Sequence, residues 1–462
     1  MLFRSEAFFQ SLLSTNRQDG FHGNPNPKYN YFYSFIERHA TESRALSNST
    51  TTVGFGFDFG IVSLKVQSNG WSGGVEQVYA VVTYVIDGTP AAAAGLQRGD
   101  YIGAINGVRL TEGNYKSYYP LLMSEDATGK QPSKVTLARY TIQEQTSGYP
   151  LEVEVDKPEM EPAVVTKDPC LMAKVLTTGS GKKVGYFVYN QFDYGTYSGH
   201  EFDDVMKRSL AELKNGGITE LVLDLRYNGG GYVTSNQLLS SIIAPAANAE
   251  QMFQRAEYND HISSTIYQNG NESYKFLTEE QMQGYKFGQN EPGVMLDLPR
   301  LYVLVSGATA SASEALIFCL RSAPAPVTVH VIGERTEGKT VGMTRLNAQS
   351  GHGGIFDGYQ YDIWPVTFYI CNSQGERASY TNGIVPDFEL EEFSFKELIA
   401  LGDLEEPLLK SALTHIETGG YPHVSASFSR SAGAAWGHEV LLGSSSEHNP
   451  LNGSRVTDIP AE

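Results

Sequence analysis

A serine in a run of small residues and a lysine beside a glycine are the side chains in this 462-residue sequence best suited, by type and spacing, to covalent chemistry. The first stands in Ser306-Gly-Ala-Thr-Ala-Ser-Ala-Ser-Glu-Ala-Leu-Ile-Phe-Cys-Leu320, which follows an apolar strand pattern and opens an apolar helix pattern. A serine at such a junction carries its hydroxyl near the positive end of the helix, where developing oxyanion charge is favoured. Taken alone, the same serine is an ordinary N-cap. After the next strand pattern comes Gly333-Glu-Arg-Thr-Glu-Gly-Lys-Thr340, which puts Lys339 beside the same sheet edge. A Ser–Lys pair can act as nucleophile and base, provided burial lowers the amine from its usual value of ~10.4. Residues 333–340 also satisfy the P-loop pattern, with Leu221-Val-Leu-Asp224 as a would-be Walker B strand. A P-loop must launch a helix, whereas Lys339 is followed by Thr-Val-Gly-Met-Thr, which reads as strand or turn. The would-be B strand also precedes the A motif, so the expectation is no nucleotide.

A second stretch reads as a binding module. In Gly88-Thr-Pro-Ala-Ala-Ala-Ala-Gly-Leu-Gln-Arg-Gly-Asp-Tyr-Ile-Gly-Ala-Ile-Asn-Gly107 a small-residue helix turns at Gly95 and Gly99-Asp100 turns into the strand Tyr101–Ile105. Asn106-Gly107 is then a type I′ hairpin signal. Upstream, Gly54-Phe55-Gly56-Phe57 has the composition of a backbone N–H nest for a carboxylate, with a strand behind it that could accept an added peptide strand. Two other readings are a generic glycine-turned β domain and a groove filled by its own chain.

The elements that must position these residues are legible as a change of period. Residues 1–50 carry an amphipathic, aromatic-rich helical pattern (Tyr29 to Ile36) ending in the linker-like run Ser47–Thr52. Residues 51–157 show short β-like alternation punctuated by glycine. From 158 to 416 strands alternate with helices, which predicts a layered α/β domain. Its buried strands are Val184–Tyr189, Leu221–Leu225, Leu301–Val305 and Val327–Ile332. One helix carries Phe202, Val205, Met206, Leu210 and Leu213 on one face and ends at Gly216-Gly217. Residues 245–299 look like a polar, irregular insertion, and 417–462 form a Gly/Ser-rich extension.

Composition bounds the function. With 34 basic and 52 acidic residues the formal charge is −18, which argues against nucleic acid or an anionic membrane surface as partner. No apolar run is long enough for a transmembrane helix, and charges within the N-terminal apolar stretch disqualify it as a signal peptide. Cys170, Cys319 and Cys371 show no CxxC spacing and the ten histidines no HExxH pattern, so neither a disulfide framework nor a metal site is expected. His330, inside an apolar strand pattern, is expected to be structural.

Thr309-Ala-Ser-Ala-Ser-Glu314, Gly338-Lys339, Asp224-Leu-Arg-Tyr-Asn-Gly-Gly-Gly231, Gly383-Ile-Val-Pro-Asp387 and the closing helix Asp403–Leu413 together resemble the C-terminal processing peptidases, the Ser/Lys peptidase family S41, in the variant of its Bacteroidetes branch. Residues 88–107, with Gly54–Phe57 ahead of them, resemble the permuted PDZ domain of bacterial proteases. The resemblance implies an α/β, crotonase-like (ClpP-like) protease core with an inserted PDZ domain. It makes Ser311 the nucleophile, Lys339 the general base, and the N–H groups of Ala312 and of Gly229 or Gly230 the oxyanion hole. It implies polypeptide substrates read by their C-terminal tails at Gly54, Phe55, Gly56 and Phe57, no cofactor, and an exported protein, periplasmic or lipid-anchored. Three departures stand out. Lys339 lies 28 residues beyond Ser311, a few more than usual, with Ala323-Pro-Ala-Pro326 as the added stretch. Met343 stands where a glutamine is common, and the glycine loop reads Tyr227-Asn-Gly-Gly-Gly. The Met343 departure keeps a catalytically silent, peptide-binding PDZ scaffold as the alternative.

Overall fold

Strands buried on both faces need apolar side chains at every position, because successive residues point to opposite sides of the sheet. The runs Val184–Tyr189, Leu221–Leu223 and Leu301–Val305 meet that requirement, and Val327–Ile332 meets it apart from Thr328 and His330. In the computed structural model they form Lys183–Val188, Glu220–Asp224, Arg300–Val305 and Thr328–Gly333, adjacent in chain order and all parallel. Phe388–Glu389 adds parallel at one edge and Met172–Thr177 antiparallel at the other, giving six strands. The structure describes residues 35–40, 50–68, 71–123, 132–145, 148–196, 198–258, 284–289, 291, 293–344, 355–356, 359–394, 397–422, 440–444 and 455–456.

The two faces of this sheet have different covers. Leu221, Leu223, Leu301, Val303 and Val305 pack with Met206, Leu210, Leu239, Ile242, Leu316 and Leu320 from the helices Glu201–Asn215, Val233–Ile243 and Ala312–Arg321. Val184, Tyr186, Val222, Tyr302 and Leu304, one step out of phase, pack on Leu408, Leu409, Ala412 and Leu413 of the helix Pro407–Thr418. The helix Glu201–Asn215 has acidic residues in its first turn, buries Phe202, Met206, Leu210 and Leu213 along one stripe, and stops where Gly217 takes φ +79°.

The β module closes into a barrel. Tyr101–Ile105 pairs with Trp71–Val85, which pairs with Phe57–Ser68; Leu151–Asp156 and Val135–Gln143 complete the circuit, and Val135–Gln143 returns to Tyr101–Ile105. Asn106 and Gly107 both have positive φ (+52° and +77°), as a type I′ hairpin into Val108–Arg109 demands.

Two stretches differ from the sequence reading. Residues 1–34 and 41–49 lie outside the described residues, so most of the expected N-terminal helical segment does too. Where the aromatic pattern Tyr29–Ile36 enters the described residues it is not helical: Phe35–Ala40 is a strand, paired antiparallel with Tyr359–Trp364. Pairing with a partner more than 300 residues away outweighs local periodicity. Within 245–299, expected to be irregular, Met252–Tyr258 is a strand paired antiparallel with Val366–Asn372 in a second, five-stranded sheet. Phe253 and Phe287 of that stretch are buried in the main core.

Candidate active site

Three loops leave the carboxyl ends of three neighbouring parallel strands: 225–231 after Glu220–Asp224, 306–311 after Arg300–Val305, and 334–340 after Thr328–Gly333. The carboxyl edge of a parallel sheet is where loops can converge on a common point. Here they are laced together. Ala310 N–H donates to the Asn228 carbonyl (3.2 Å), Thr309 Oγ1 to the Leu225 carbonyl (2.8 Å), and Glu337 N–H to the Thr309 carbonyl (3.0 Å).

Ser311 is the N-cap of the helix Ala312–Arg321 and sits at φ +63°, ψ −112°. A non-glycine residue held at such angles costs of order 1–3 kcal/mol and persists only where its surroundings over-determine it. The constraint is visible on both sides. Glu314, one turn into the helix, accepts from the Ser311 N–H (2.7 Å). Gly230 (φ +110°) presses on the other side, so close that a Cβ there would lie 2.8 Å from Ser311 Cβ and 3.0 Å from the Ala312 nitrogen. The sequence reading expected an exposed hydroxyl at this junction. Instead Ser311 is 0% and Lys339 2% exposed, because the glycine loop and the 334–340 loop close over the helix start.

Glu314 also joins the serine to the lysine. Its Oε2 accepts from Ser311 N–H and from Lys339 N–H (2.9 Å), which brings the two backbone nitrogens within about 6 Å of each other. Its Oε1 accepts from Gly338 N–H (2.7 Å) and Thr336 Oγ1 (2.5 Å). Burial pushes the Glu314 carboxyl up to about 7 against the pull of these four donors. The one local signal for Glu314 in the sequence is the capping-box spacing Ser311-x-x-Glu314. Ser313, two residues on, is buried and donates to the Asn228 carbonyl (2.9 Å).

The glycine loop is fixed by Asn228, whose amide donates to the Tyr189 carbonyl (2.8 Å) and whose Oδ1 accepts from Gly230 N–H (2.9 Å). Under it lies a buried ionic network that no local sequence pattern announces. Arg226 binds both oxygens of Asp224 and donates to Glu392 and Glu406 (2.8 Å each). Burial alone would raise the Glu392 carboxyl, but Arg98 and Arg226 hold it below the ordinary range. Arg98 comes from the β module and also donates to Tyr227 Oη (2.6 Å), the residue that opens the glycine loop.

The remaining expected residues lie elsewhere. Lys339 is followed by the strand Val341–Thr344, not by a helix, which removes the context a P-loop needs. Met343 is fully buried in that strand and offers no polar group. His330 sits in its strand stacked on Tyr302. Gly54–Phe57 lies in the β module, apart from the three loops, between Thr51–Gly54 and Phe57–Ser68. The Phe55 carbonyl accepts from Ala91 N–H (2.9 Å) and the Gly56 carbonyl from Ile86 N–H (2.8 Å). Because a trans peptide sets N–H opposite C=O, the N–H groups of Gly56 and Phe57 point away from those donors. Gly56 has φ +80° and its α-carbon abuts Thr89, where a Cβ would clash at 2.4 Å.

A chain whose strand-end loops bring a strained serine and a buried lysine together, with a β barrel tied to the same site, has the layout of a serine-type peptidase with an appended recognition domain. Residues 183–390 match peptidase family S41 and residues 81–128 match the PDZ domain. The chain thus carries a PDZ domain ahead of a peptidase S41 domain. It is 25% identical over 325 residues to the chloroplastic C-terminal processing peptidase of Tetradesmus obliquus (70% of this chain, 59% of that one). It is 27% identical over 311 residues to a carboxyl-terminal-processing protease of a Picosynechococcus species (63% and 60%). It therefore spans about three fifths of the length of these curated relatives. A solved structure of a Bacteroides fragilis protein assigned to the S41 proteases shares the fold, with a TM-score of 0.65 at 24% identity over 90% of each chain.

Proposed function

We propose that this chain is a serine endopeptidase working through a Ser311–Lys339 dyad and reading the C-terminal tails of its polypeptide substrates. The observation that carries the proposal is the Glu314 carboxylate, which holds the backbones of Ser311 and Lys339 on one oxygen. Ser311 Oγ attacks the scissile carbonyl carbon while its proton passes to Lys339 Nζ. The resulting oxyanion is met by the N–H of Ala312, at the helix start, and by that of Gly229, since the Gly230 N–H is already given to Asn228. Collapse expels the amine, which takes the proton from Lys339, and leaves an acyl-serine. Lys339 then deprotonates a water that releases the acid and regenerates Ser311. Burial at 2% exposure is the setting in which a lysine amine can serve as a base. Family resemblance supports an exported protein; among the described residues no helix is long and apolar enough to cross a membrane.

The test is digestion of an unfolded protein by three variants. Ser311→Ala is expected to abolish cleavage with the fold retained. Lys339→Arg is expected to be as inactive as Lys339→Ala, because arginine keeps its proton. Full activity in Ser311→Ala, or partial activity in Lys339→Arg alone, overturns the dyad.

Tail reading has its own test. A nest formed by the Gly54–Phe57 N–H groups favours a carboxylate, and charge-assisted hydrogen bonds are about twice as strong as neutral ones. A short peptide with a free apolar C-terminus should therefore be cut with higher kcat/KM than its C-terminal amide. Gly56→Val, which clashes with Thr89 and strains φ, should erase the difference. Equal kcat/KM for acid and amide in the unmodified enzyme removes tail reading and leaves the dyad standing.

A further inference from the structure

The strand Phe57–Ser68 is where an incoming tail would add, and one of its edges is already full. Trp71–Val85 pairs with it from Phe57 to Ser68. On the opposite edge Leu151 meets it only at Gln67. On that same edge Gly60–Ser63 are paired with Val440–Ser444, from much later in the same chain. The pairing is antiparallel: Val440 lies opposite Ser63, Leu441 opposite Val62, Gly443 opposite Ile61 and Ser444 opposite Gly60. The segment thus runs toward the Gly54–Phe57 loop, which is the direction a substrate tail must take to bring its carboxylate there.

The same stretch of chain reaches the peptidase end. Val341–Thr344 begins two residues after Lys339 and is paired on one edge with Val366–Asn372. Its other edge carries Arg455–Val456, parallel, with Met343 opposite Arg455 and Thr344 opposite Val456. One stretch of the chain therefore occupies two strand edges, one next to the carboxylate loop and one next to the lysine.

We propose that the strand Val440–Ser444, with Arg455–Val456 at the second edge, acts as an intramolecular, substrate-like ligand that polypeptide substrates must displace. This rests on the tail-reading function proposed above and adds its regulation. A tethered ligand works at an effective concentration far above that of free substrate, so a short strand pairing suffices. Competition lowers the apparent affinity for substrate by the fraction of time the edge is free. Five residues, broken by an irregularity between Leu441 and Gly443, give a contact weak enough to yield.

The experiment uses the full chain carrying Ser311→Ala, so that binding is read without cleavage. Leu441→Pro, and separately Gly443→Pro, remove a backbone donor and disfavour strand pairing. The probe is a fluorescent ten-residue peptide with a free apolar C-terminus, followed by anisotropy. Hydrogen exchange of the amides of residues 60–63 is measured in parallel. Each proline variant is expected to bind the probe at least about fivefold more tightly and to exchange faster at 60–63. A free peptide spanning residues 438–446 should displace the probe. Unchanged affinity in both variants, or exchange at 60–63 already fast without them, overturns the proposal while leaving tail reading in place. No binding of the probe to any form overturns tail reading and the competition with it, whereas Ser311-dependent digestion tests the dyad separately.

Discussion

Glu314 has two carboxylate oxygens and four donors, and that arithmetic decides what the residue can become. Oε1 serves Thr336 and Gly338, Oε2 serves Ser311 and Lys339. Glu314→Gln keeps the shape but replaces one oxygen by an NH₂ group. Whichever way the amide turns, a donor then faces two donors, and two buried hydrogen bonds fail at about 1–3 kcal/mol each. On the dyad proposed above, the expected result is a Tm several degrees lower and kcat reduced at least about a hundredfold, with KM little changed, since Glu314 holds the Ser311 and Lys339 backbones and is itself buried. A variant that lost stability but kept kcat would reduce Glu314 to a helix cap. Ser311 and Lys339 were legible because few residue types can do such chemistry and their spacing framed one strand. Glu314 was less so, since the same Ser-x-x-Glu spacing opens many helices without catalysis. Arg226 and Asp224 were visible as letters of a motif, but Glu392 and Glu406, the further partners of Arg226, lie more than 160 residues away and no local pattern points to them.

Among elements, the glycine loop is the point where the β module touches the chemistry. Arg98, at the end of the small-residue helix and turn, donates to Tyr227 Oη, Glu392, and the carbonyls of Thr83 and Ile399. Tyr84 packs on Tyr227 with ring centroids 5.6 Å apart. Any shift of the PDZ domain must therefore move Tyr227, and with it the Asn228–Gly230 backbone that faces Ser311. Arg98→Ala leaves Glu392 buried with one guanidinium fewer and should cost about 3 kcal/mol of stability. It should also lower kcat while leaving the affinity for a tail peptide intact, because Arg98 lies off the Phe57–Ser68 edge. Loss of stability with kcat unchanged would make the network a structural joint only. The parallel strands and the type I′ hairpin were readable because each is fixed by a short stretch of its own sequence. Phe35–Ala40 and Met252–Tyr258 were not, because the first pairs with residues more than 300 positions away and most of the second with residues more than 100 positions away.

At the scale of the whole molecule, three desolvated carboxyls, Glu314 buried and Asp58 and Glu334 half-buried, set a pH dependence that runs against the usual expectation for an acidic protein. Burial pushes Asp58 in the β module, and Glu314 and Glu334 in the peptidase domain, up to about 7. For Glu334 the neighbouring Glu392 and Glu391 add to the effect. A carboxyl whose folded value lies above its unfolded value binds more protons when folded. Its contribution to stability is therefore complete below about pH 4 and is lost as the pH rises through about 7. Glu392, held low by Arg98 and Arg226, works the other way, but its contribution is complete once the pH exceeds the unfolded value of 4.5. His330 and His415, both lowered by burial, add stability as the pH rises to 6.5 and partly mask the carboxyls. The raised carboxyls are therefore isolated by a difference. Thermal unfolding of the unmodified chain and of Glu334→Gln, followed from pH 5 to pH 8, should show the variant gaining relative stability at the alkaline end, because its amide has no charge to bury. Glu334 is chosen because its carboxyl accepts from the backbone N–H groups of Glu392 and Gly307, so a glutamine keeps an oxygen for a donor while losing the charge. If the two Tm curves ran parallel across that range, Glu334 would be ionised in the folded protein and the three-carboxyl account would fail at the residue best able to test it.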